Sequence, residues 1–444
     1  MKTKVVAVIM VLALFQIAFA GGILTNTNQS VQFVRMLARN ASTQIDAVYF
    51  NPAGMTQLSD GFFLAFYSQT ISKTRTITNS LAILNTNEYK GDIFVPVFPN
   101  FYAVYKKGKF AAAFGFEPIA GGGTADFKKG LPEFEMNFAM LPTLLTAMGV
   151  PTTAYSVDLA FKGSSVYYGF QTGIAYALTD QFSASVGVRY NMAKNTYEGS
   201  ITNVMVNPNL PALGLDGSMI PASTLFTALG DANTAAALAD QEVDAELTGN
   251  GITPIFGLNF KVNDKINMGL KYEMKTKMEL ETKTTKDLTA GPMFPDGEKE
   301  RFDIPAILSG GVSFQVTEPL MVSAGGNYYF DKNADNADMA EGIDSNTWEA
   351  QVGLEYAVDE KLSISAGYQR TQFDLKKGYY SGLSYDLNAN TIGGGVEYLL
   401  SDNIALEFGG LYAMYEKKEF KEDLVAYEKS TWLIAAGLQY TIKK

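Results

Sequence analysis

From Gly61 to the end of the chain, apolar and polar side chains alternate with a period of two. Phe182, Ala184, Val186, Val188, Tyr190 and Met192 interleave with Ser183, Ser185, Gly187, Arg189 and Asn191, and Ile266–Lys275, Trp348–Tyr356 and Trp432–Ile442 repeat the pattern. Successive side chains of a strand point to opposite faces, so each stretch has one apolar and one polar face. Leu178-Thr-Asp-Gln-Phe182, Val262-Asn-Asp-Lys-Ile266, Val316-Thr-Glu-Pro-Leu320, Val358-Asp-Glu-Lys-Leu362 and Leu400-Ser-Asp-Asn-Ile404 share one form: two apolar residues flank three, with an acid in the middle. These read as short hairpin turns, as does Lys106-Lys107-Gly108-Lys109. They alternate with long segments at 120–164, 199–247, 284–302 and 331–346. Short turns at one end and long loops at the other mark an outer-membrane barrel. The pattern predicts an all-β fold, a 14-stranded antiparallel transmembrane β-barrel over 61–444, with strands such as 164–178 and 181–199. An even count puts both chain ends on the short-turn, periplasmic side. The competing architecture is a soluble sandwich or propeller, which accounts less well for one-sided loop lengths.

The stretch ahead of the strands follows different rules. Phe33, Met36 and Leu37 make a short helical stripe, and Tyr49-Phe50-Asn51-Pro52-Ala53-Gly54-Met55 is turn-rich, because Pro52 fixes its own φ and pushes Asn51 out of the α region. Residues 21–60 therefore read as a compact plug that sits inside or against the sheet. The runs Arg35-Met36-Leu37-Ala38-Arg39-Asn40-Ala41-Ser42 and Ala47-Val48-Tyr49-Phe50-Asn51-Pro52-Ala53-Gly54-Met55 resemble the N-terminal hatch of the outer membrane long-chain fatty acid transporters of the FadL type. That resemblance implies a fourteen-stranded barrel with a hatch in its lumen. It also implies passive uptake of hydrophobic molecules and gating around Phe50, Asn51, Pro52 and Ala53. Arg35 and Arg39 are the hatch's cationic candidates for a carboxylate.

Two long segments read as helices in extracellular loops, 131–148 and 220–241. The first, with Phe138, Met140, Leu144, Leu145 and Met148, is either a set of helices packed on each other or an exposed apolar groove where a greasy substrate lands. Pro96 and Pro99 in the second strand, and Gly115 and Pro118 in the third, disturb pairing that a closed barrel needs. They predict a wall kink or a turn at the membrane edge. In the family the kinked strand here is linked to a lateral exit. Arg189, Lys271, Glu273 and Lys275 lie on polar strand faces and are expected in the lumen, Arg189 being the leading luminal charge; the direction of Arg370 is open.

Composition narrows the chemistry. The chain has no Cys and no His, which excludes disulfides, thiolate metal sites, a lipoprotein anchor and His-dependent catalysis. A net charge of −11 argues against nucleic acid. No catalytic or metal constellation is recognised. Asp331-Lys-Asn-Ala-Asp lacks the Gly and Glu of an EF-hand loop and reads as a solvated acidic loop. Lys2 and Lys4, the apolar run 5–18 and Ala18-Phe19-Ala20 form a cleavable signal peptide over 1–20, the run being shorter than a spanning helix needs. The expectation is a monomeric, cofactor-free outer-membrane transporter of a Gram-negative bacterium. Its expected partners are a fatty acid and the surrounding outer membrane lipid. The alternatives are uptake of other apolar compounds such as aromatic hydrocarbons, or a structural or adhesive surface barrel.

Overall fold

The computed structural model describes residues 25, 30–289, 293–336 and 341–443. The signal peptide expected at 1–20 lies outside them. Fourteen antiparallel strands form the wall. They are β1 (Gly61–Asn79), β2 (Glu88–Lys107), β3 (Phe110–Phe127), β4 (Thr152–Ala177), β5 (Phe182–Leu210), β6 (Gln241–Lys261), β7 (Ile266–Glu273 and Glu279–Asp287), β8 (Lys299–Arg301 and Ile307–Gln315), β9 (Leu320–Tyr329), β10 (Ile343–Ala357), β11 (Leu362–Leu375), β12 (Ala389–Ser401), β13 (Ile404–Tyr415) and β14 (Val425–Lys443). Each pairs with its neighbours, and β1 closes the ring on β14 in one register from Gly61 opposite Lys443 to Asn79 opposite Val425. Closure leaves no free edge, as a hydrocarbon solvent demands.

The period-two pattern sorts side chains as expected. Val186, Ile252, Phe408, Trp432 and Ile434 point outward and are exposed, while Tyr67, Tyr102, Arg189 and Lys271 point inward and are buried. An apolar outer surface of this extent is suited to lipid. Among the described residues no helix is long and apolar enough to cross a membrane; the strands provide the crossing elements. The short turns are built locally. Asp60, just before β1, accepts hydrogen bonds from the Gly108 amide at 3.0 Å and the Lys106 ammonium at 3.0 Å, closing the β2–β3 turn. The Gly108 amide, then Lys106, hold its carboxyl below the ordinary carboxylate range. A depressed carboxyl stabilises above its unfolded pKa and loses that effect as pH falls through its folded value. Asp60→Asn is therefore expected to lower the melting temperature slightly at pH 7 and to abolish the acid-side decline owed to this turn. Melting curves at neutral and acid pH for both proteins check this, and parallel declines would refute it.

The long-loop end departs from the sequence expectation. The segments 120–164 and 199–247, expected as loops, are in large part strand: β4 and β5 run on past the wall. They carry a lobe with α3 (Pro132–Ala139), α4 (Leu141–Ala147), α5 (Ala222–Ala228) and α6 (Ala232–Ala237). Pro142 lacks the amide a continuous helix would need, so the expected single helix breaks after Met140. Gly230 ends α5 with φ of 80°. The lobe has its own core, with Phe138, Leu141 and Leu145 against Leu159, Ile201, Leu225 and Phe226. The expected exposed apolar groove is thus corrected: Phe138 and Leu145 are buried, Leu144 and Met148 half-buried, and of the set only Met140 is exposed. The extended strands offer an apolar surface, and the helices fold onto it instead of facing water.

Candidate functional site

Residues 30–58 lie inside the barrel. They form α1 (Val31–Arg35), α2 (Ala47–Phe50) and a 3₁₀ turn (Pro52–Gln57), nearly all buried. Ser30 caps α1 by accepting from the Phe33 amide at 3.2 Å. The plug runs around the inner wall, and the wall carries glycine where it passes. A Cβ on Gly437 would sit 3.2 Å from Val31, one on Gly409 3.1 Å from Val34, one on Gly367 3.2 Å from Leu37, one on Gly325 3.2 Å from Asn40 and one on Gly257 3.7 Å from the Ala53 methyl. At Gly437, Gly409, Gly367 and Gly325 such contacts are tighter than ordinary packing, so glycine permits this close approach; at Gly257 the contact with Ala53 is an ordinary one.

Two charge clusters hold the plug. Arg35 reaches Glu407 at 2.8 Å, Glu355 at 3.0 Å, Glu397 at 3.3 Å and Ser365 at 2.7 Å. On the other side Arg189 binds Glu273 at 2.6 Å, Glu117 at 3.3 Å and Gln171 at 2.8 Å, and lies over the Tyr49 ring at 4.8 Å. Lys271 bonds the Tyr49 carbonyl at 2.9 Å, and Gln171 bonds the Val48 carbonyl. Asn51 donates to Ser42 O at 3.0 Å and to Asn259 at 2.7 Å, and Ala53 O accepts from Ser183 at 2.9 Å. Phe50 stacks on Phe33 at 5.4 Å. Pro52 opens the 3₁₀ turn. Arg35 and Arg39 are therefore not carboxylate-binding groups facing a cavity: Arg35 is enclosed by three glutamates and Arg39 by Asp46, Ser42 and Gln44. Arg189 is likewise luminal and fully engaged. Lys275 is half-buried beside Asp303, and Arg370 shares the outward parity of Tyr368 and pairs with Glu416.

The wall is interrupted where the prolines cluster. β2 and β3 pair at Asp92 opposite Asp126 and resume only at Phe101 opposite Phe116. Pro96, Pro99 and Pro118 fall within the unpaired stretch; Gly115 lies below it, in register with Tyr102 and packed on Val48. β2 stays on β1 across a bulge, with Thr70 donating to the Pro96 carbonyl at 2.9 Å. Gly121, Gly122 and Gly123 carry φ of 77°, 127° and 75°, and a Cβ on Gly121 would strike the Ser165 carbonyl.

Above the plug is a cavity of about 280 Å³. Phe33 lies at its plug side, Ile93, Ala120 and the three glycines at the wall break, Phe127 and Phe161 toward the lobe, Leu411 and Leu433 on the far wall, and Gly382–Leu387 toward the long-loop end. Three cations line it: Lys73, Arg75 and Lys429. Lys429 pairs with Asp386 at 3.0 Å. Arg75 lies over the Tyr385 ring at 4.3 Å and donates to the Leu383 carbonyl at 3.4 Å. The Lys73 ammonium has no hydrogen-bond or ion-pair partner among the described residues. The sequence patterning did not single out this group, although Lys73 and Arg75 share the parity of inward-facing Tyr67 and Gln69. A second, apolar groove lies between the lobe and Thr289, Met293 and Phe294, its other lining including Phe134, Phe161, Tyr197, Ile201 and Leu383.

No protein-family model matches the chain, and no curated protein sequence matches it. Solved structures do. A Pseudomonas aeruginosa FadL homologue aligns over 95% of this chain and 99% of its own, at 13% identity and TM-score 0.66. The Pseudomonas putida toluene transporter TodX aligns over 91% and 95%, at 14% and 0.59. The Ralstonia pickettii toluene transporter TbuX aligns over 89% and 94%, at 16% and 0.56. The closed fourteen-stranded wall is thus the fold of the FadL homologue and of the toluene transporters.

Proposed function

We propose that this chain is a passive outer-membrane channel for hydrophobic molecules and that its substrates are long-chain fatty acids. One observation carries the finer reading. An unpartnered ammonium, Lys73, and the Arg75 guanidinium face a cavity whose remaining lining combines aliphatic and aromatic side chains with hydroxyls, Gln369 and the carboxylates of Glu349 and Asp386. A fatty acid has that same division, a carboxylate on an apolar chain, and charge-assisted hydrogen bonds in a sheltered site favour the carboxylate. Residues 30–58 act as the hatch below this cavity, with Phe33 as the contact between ligand and hatch. The unpaired wall between β2 and β3 adjoins the cavity and supports a sideways exit into the membrane. The groove, to which Phe134 of α3 contributes, is the landing site that Phe138, Met140, Leu144, Leu145 and Met148 do not provide.

The groove also favours a second reading. Its aromatic lining, with Tyr197 and Phe294 stacked at 5.1 Å, suits arenes, as does the likeness to two toluene transporters. Lys73 separates the two readings, because a neutral arene gains little from it. Lys73→Met is expected to weaken oleate binding to the purified barrel by about tenfold to a hundredfold, the range of a lost hydrogen bond to charge. Calorimetry with oleate and with toluene checks this. Oleate binding unaffected by the change, or toluene binding with none of oleate, would sink the fatty acid reading.

A further inference from the structure

The outer groove and the inner cavity share two lining residues, Phe161 and Leu383. Phe161 is buried and braced on both sides, its ring 6.5 Å from Phe127 and 5.7 Å from Phe134. Leu383 differs. It is half-buried near the tip of a turn closed by the Ser381 amide on the Ser384 carbonyl at 2.8 Å. That turn is tethered from both compartments. On the lobe side Glu133 of α3 accepts from the Gly382 amide at 2.6 Å. On the cavity side Arg75 holds the Leu383 carbonyl.

We propose that Leu383, set against Phe161, is the gate and size filter between the two compartments. This rests on the reading of the chain as a channel for hydrophobic molecules. Phe161 is the fixed side of the passage, since its ring is packed between two others. Leu383 is the moving side, since its aliphatic side chain is half-buried and is not braced between stacked rings as Phe161 is. The Glu133 tether joins the gate to the lobe and keeps it closed from outside. The Arg75 tether joins it to the cation group, so a carboxylate arriving at Arg75 competes with the Leu383 carbonyl for the same guanidinium. The side chain at 383 then sets the width of what passes.

The chain has no cysteine, so an introduced pair reports without background. Glu133 accepts from the Gly382 amide at 2.6 Å, so Glu133→Cys and Gly382→Cys can be oxidised together through a short bis-methanethiosulfonate bridge, which dithiothreitol removes. The full-length barrel is labelled with a diazirine-bearing palmitate, and labelled peptides are mapped by mass spectrometry. Wild type should be labelled at the groove, around Phe294, and in the cavity, around Phe33 and Phe127. The oxidised pair should keep the groove label and lose the cavity label, and dithiothreitol should restore it. In parallel, Leu383→Ala should raise cavity labelling by a branched-chain probe on the order of tenfold, the lower range for a missing side-chain increment in a fitted pocket. Cavity labelling that persists in the oxidised pair, or a branched probe indifferent to Leu383→Ala, overturns the gate and leaves the channel reading standing. No specific label in wild type overturns the channel reading and the gate with it.

Discussion

Replacing Arg35 with methionine is expected to free the N-terminal half of the plug while the wall remains intact. Methionine keeps much of the side chain's bulk and removes its charge. Glu355, Glu397 and Glu407 would then face one another with no cation between them, Glu407 fully buried. Breaking a buried pair by removing one partner costs about 3–5 kcal/mol, because the remaining charge stays desolvated. A five-residue helix has little of its own to set against that, since isolated helices so short are marginal. The wall is held by backbone ladders that do not involve Arg35. Hydrogen exchange should therefore quicken over residues 31–39 and stay slow over β12 and β13, and single-barrel conductance in a planar bilayer should rise. Adding Glu355→Gln, Glu397→Gln and Glu407→Gln should return much of the protection, since removing both sides of a buried pair is far less costly than removing one. Unchanged exchange over 31–39 in the single variant would show that the cluster does not hold the plug.

Arg189→Leu should act on the opposite half of the plug and on the wall as well. Arg189 belongs to β5 and joins Glu117 of β3 to Glu273 of β7 behind Tyr49. Lys271 would keep Glu273 company and still hold the Tyr49 carbonyl. Glu117, fully buried next to the interrupted β2–β3 ladder, would lose its ion-pair partner. The expected loss is again about 3–5 kcal/mol, now in the barrel itself. The two tryptophans, Trp348 and Trp432, both stand on the outer wall, so their fluorescence in a urea titration reports the barrel and not the plug. The midpoint should fall in Arg189→Leu and recover in part when Glu117→Gln is added. It should barely move in Arg35→Met. A reversed pattern would contradict this division of labour between the two clusters.

Much of the wall was legible because a strand's alternation is a local signal. The outward set from Phe182 to Met192 and the acid-centred turns give the strand count and the polarity of the ends. The lobe was not legible, because β4 and β5 continue past the membrane on residues that alternate no differently from a loop's, and only their pairing shows that they do. Hence the sequence left Phe138 and Leu145 between packed helices and an exposed groove, when they belong to the lobe's core. The prolines at 96, 99 and 118 pointed to the break; how far it extends depends on where the ladder resumes, which is a matter of register. For Arg35 and Arg189, the sequence carried their charge and their inward location. Their partners come from strands scores to hundreds of residues away and so lay beyond any local pattern. Lys73 and Arg75 had inward parity, but parity says nothing of height along the barrel, and height is what sets them at the cavity.

The glycines under the plug have a further consequence for the cell. Glycine at these points of the wall leaves room that residues 30–58 fill, beside wall side chains such as Lys271, Asn259 and Glu407. If the chain conducts as proposed, its exclusion of ions and bulky hydrophilic drugs is expected to depend on that one short stretch of chain. Sensitivity of living cells to a large hydrophilic antibiotic would then register each departure of that stretch, making drug susceptibility a measure of its movement under working conditions.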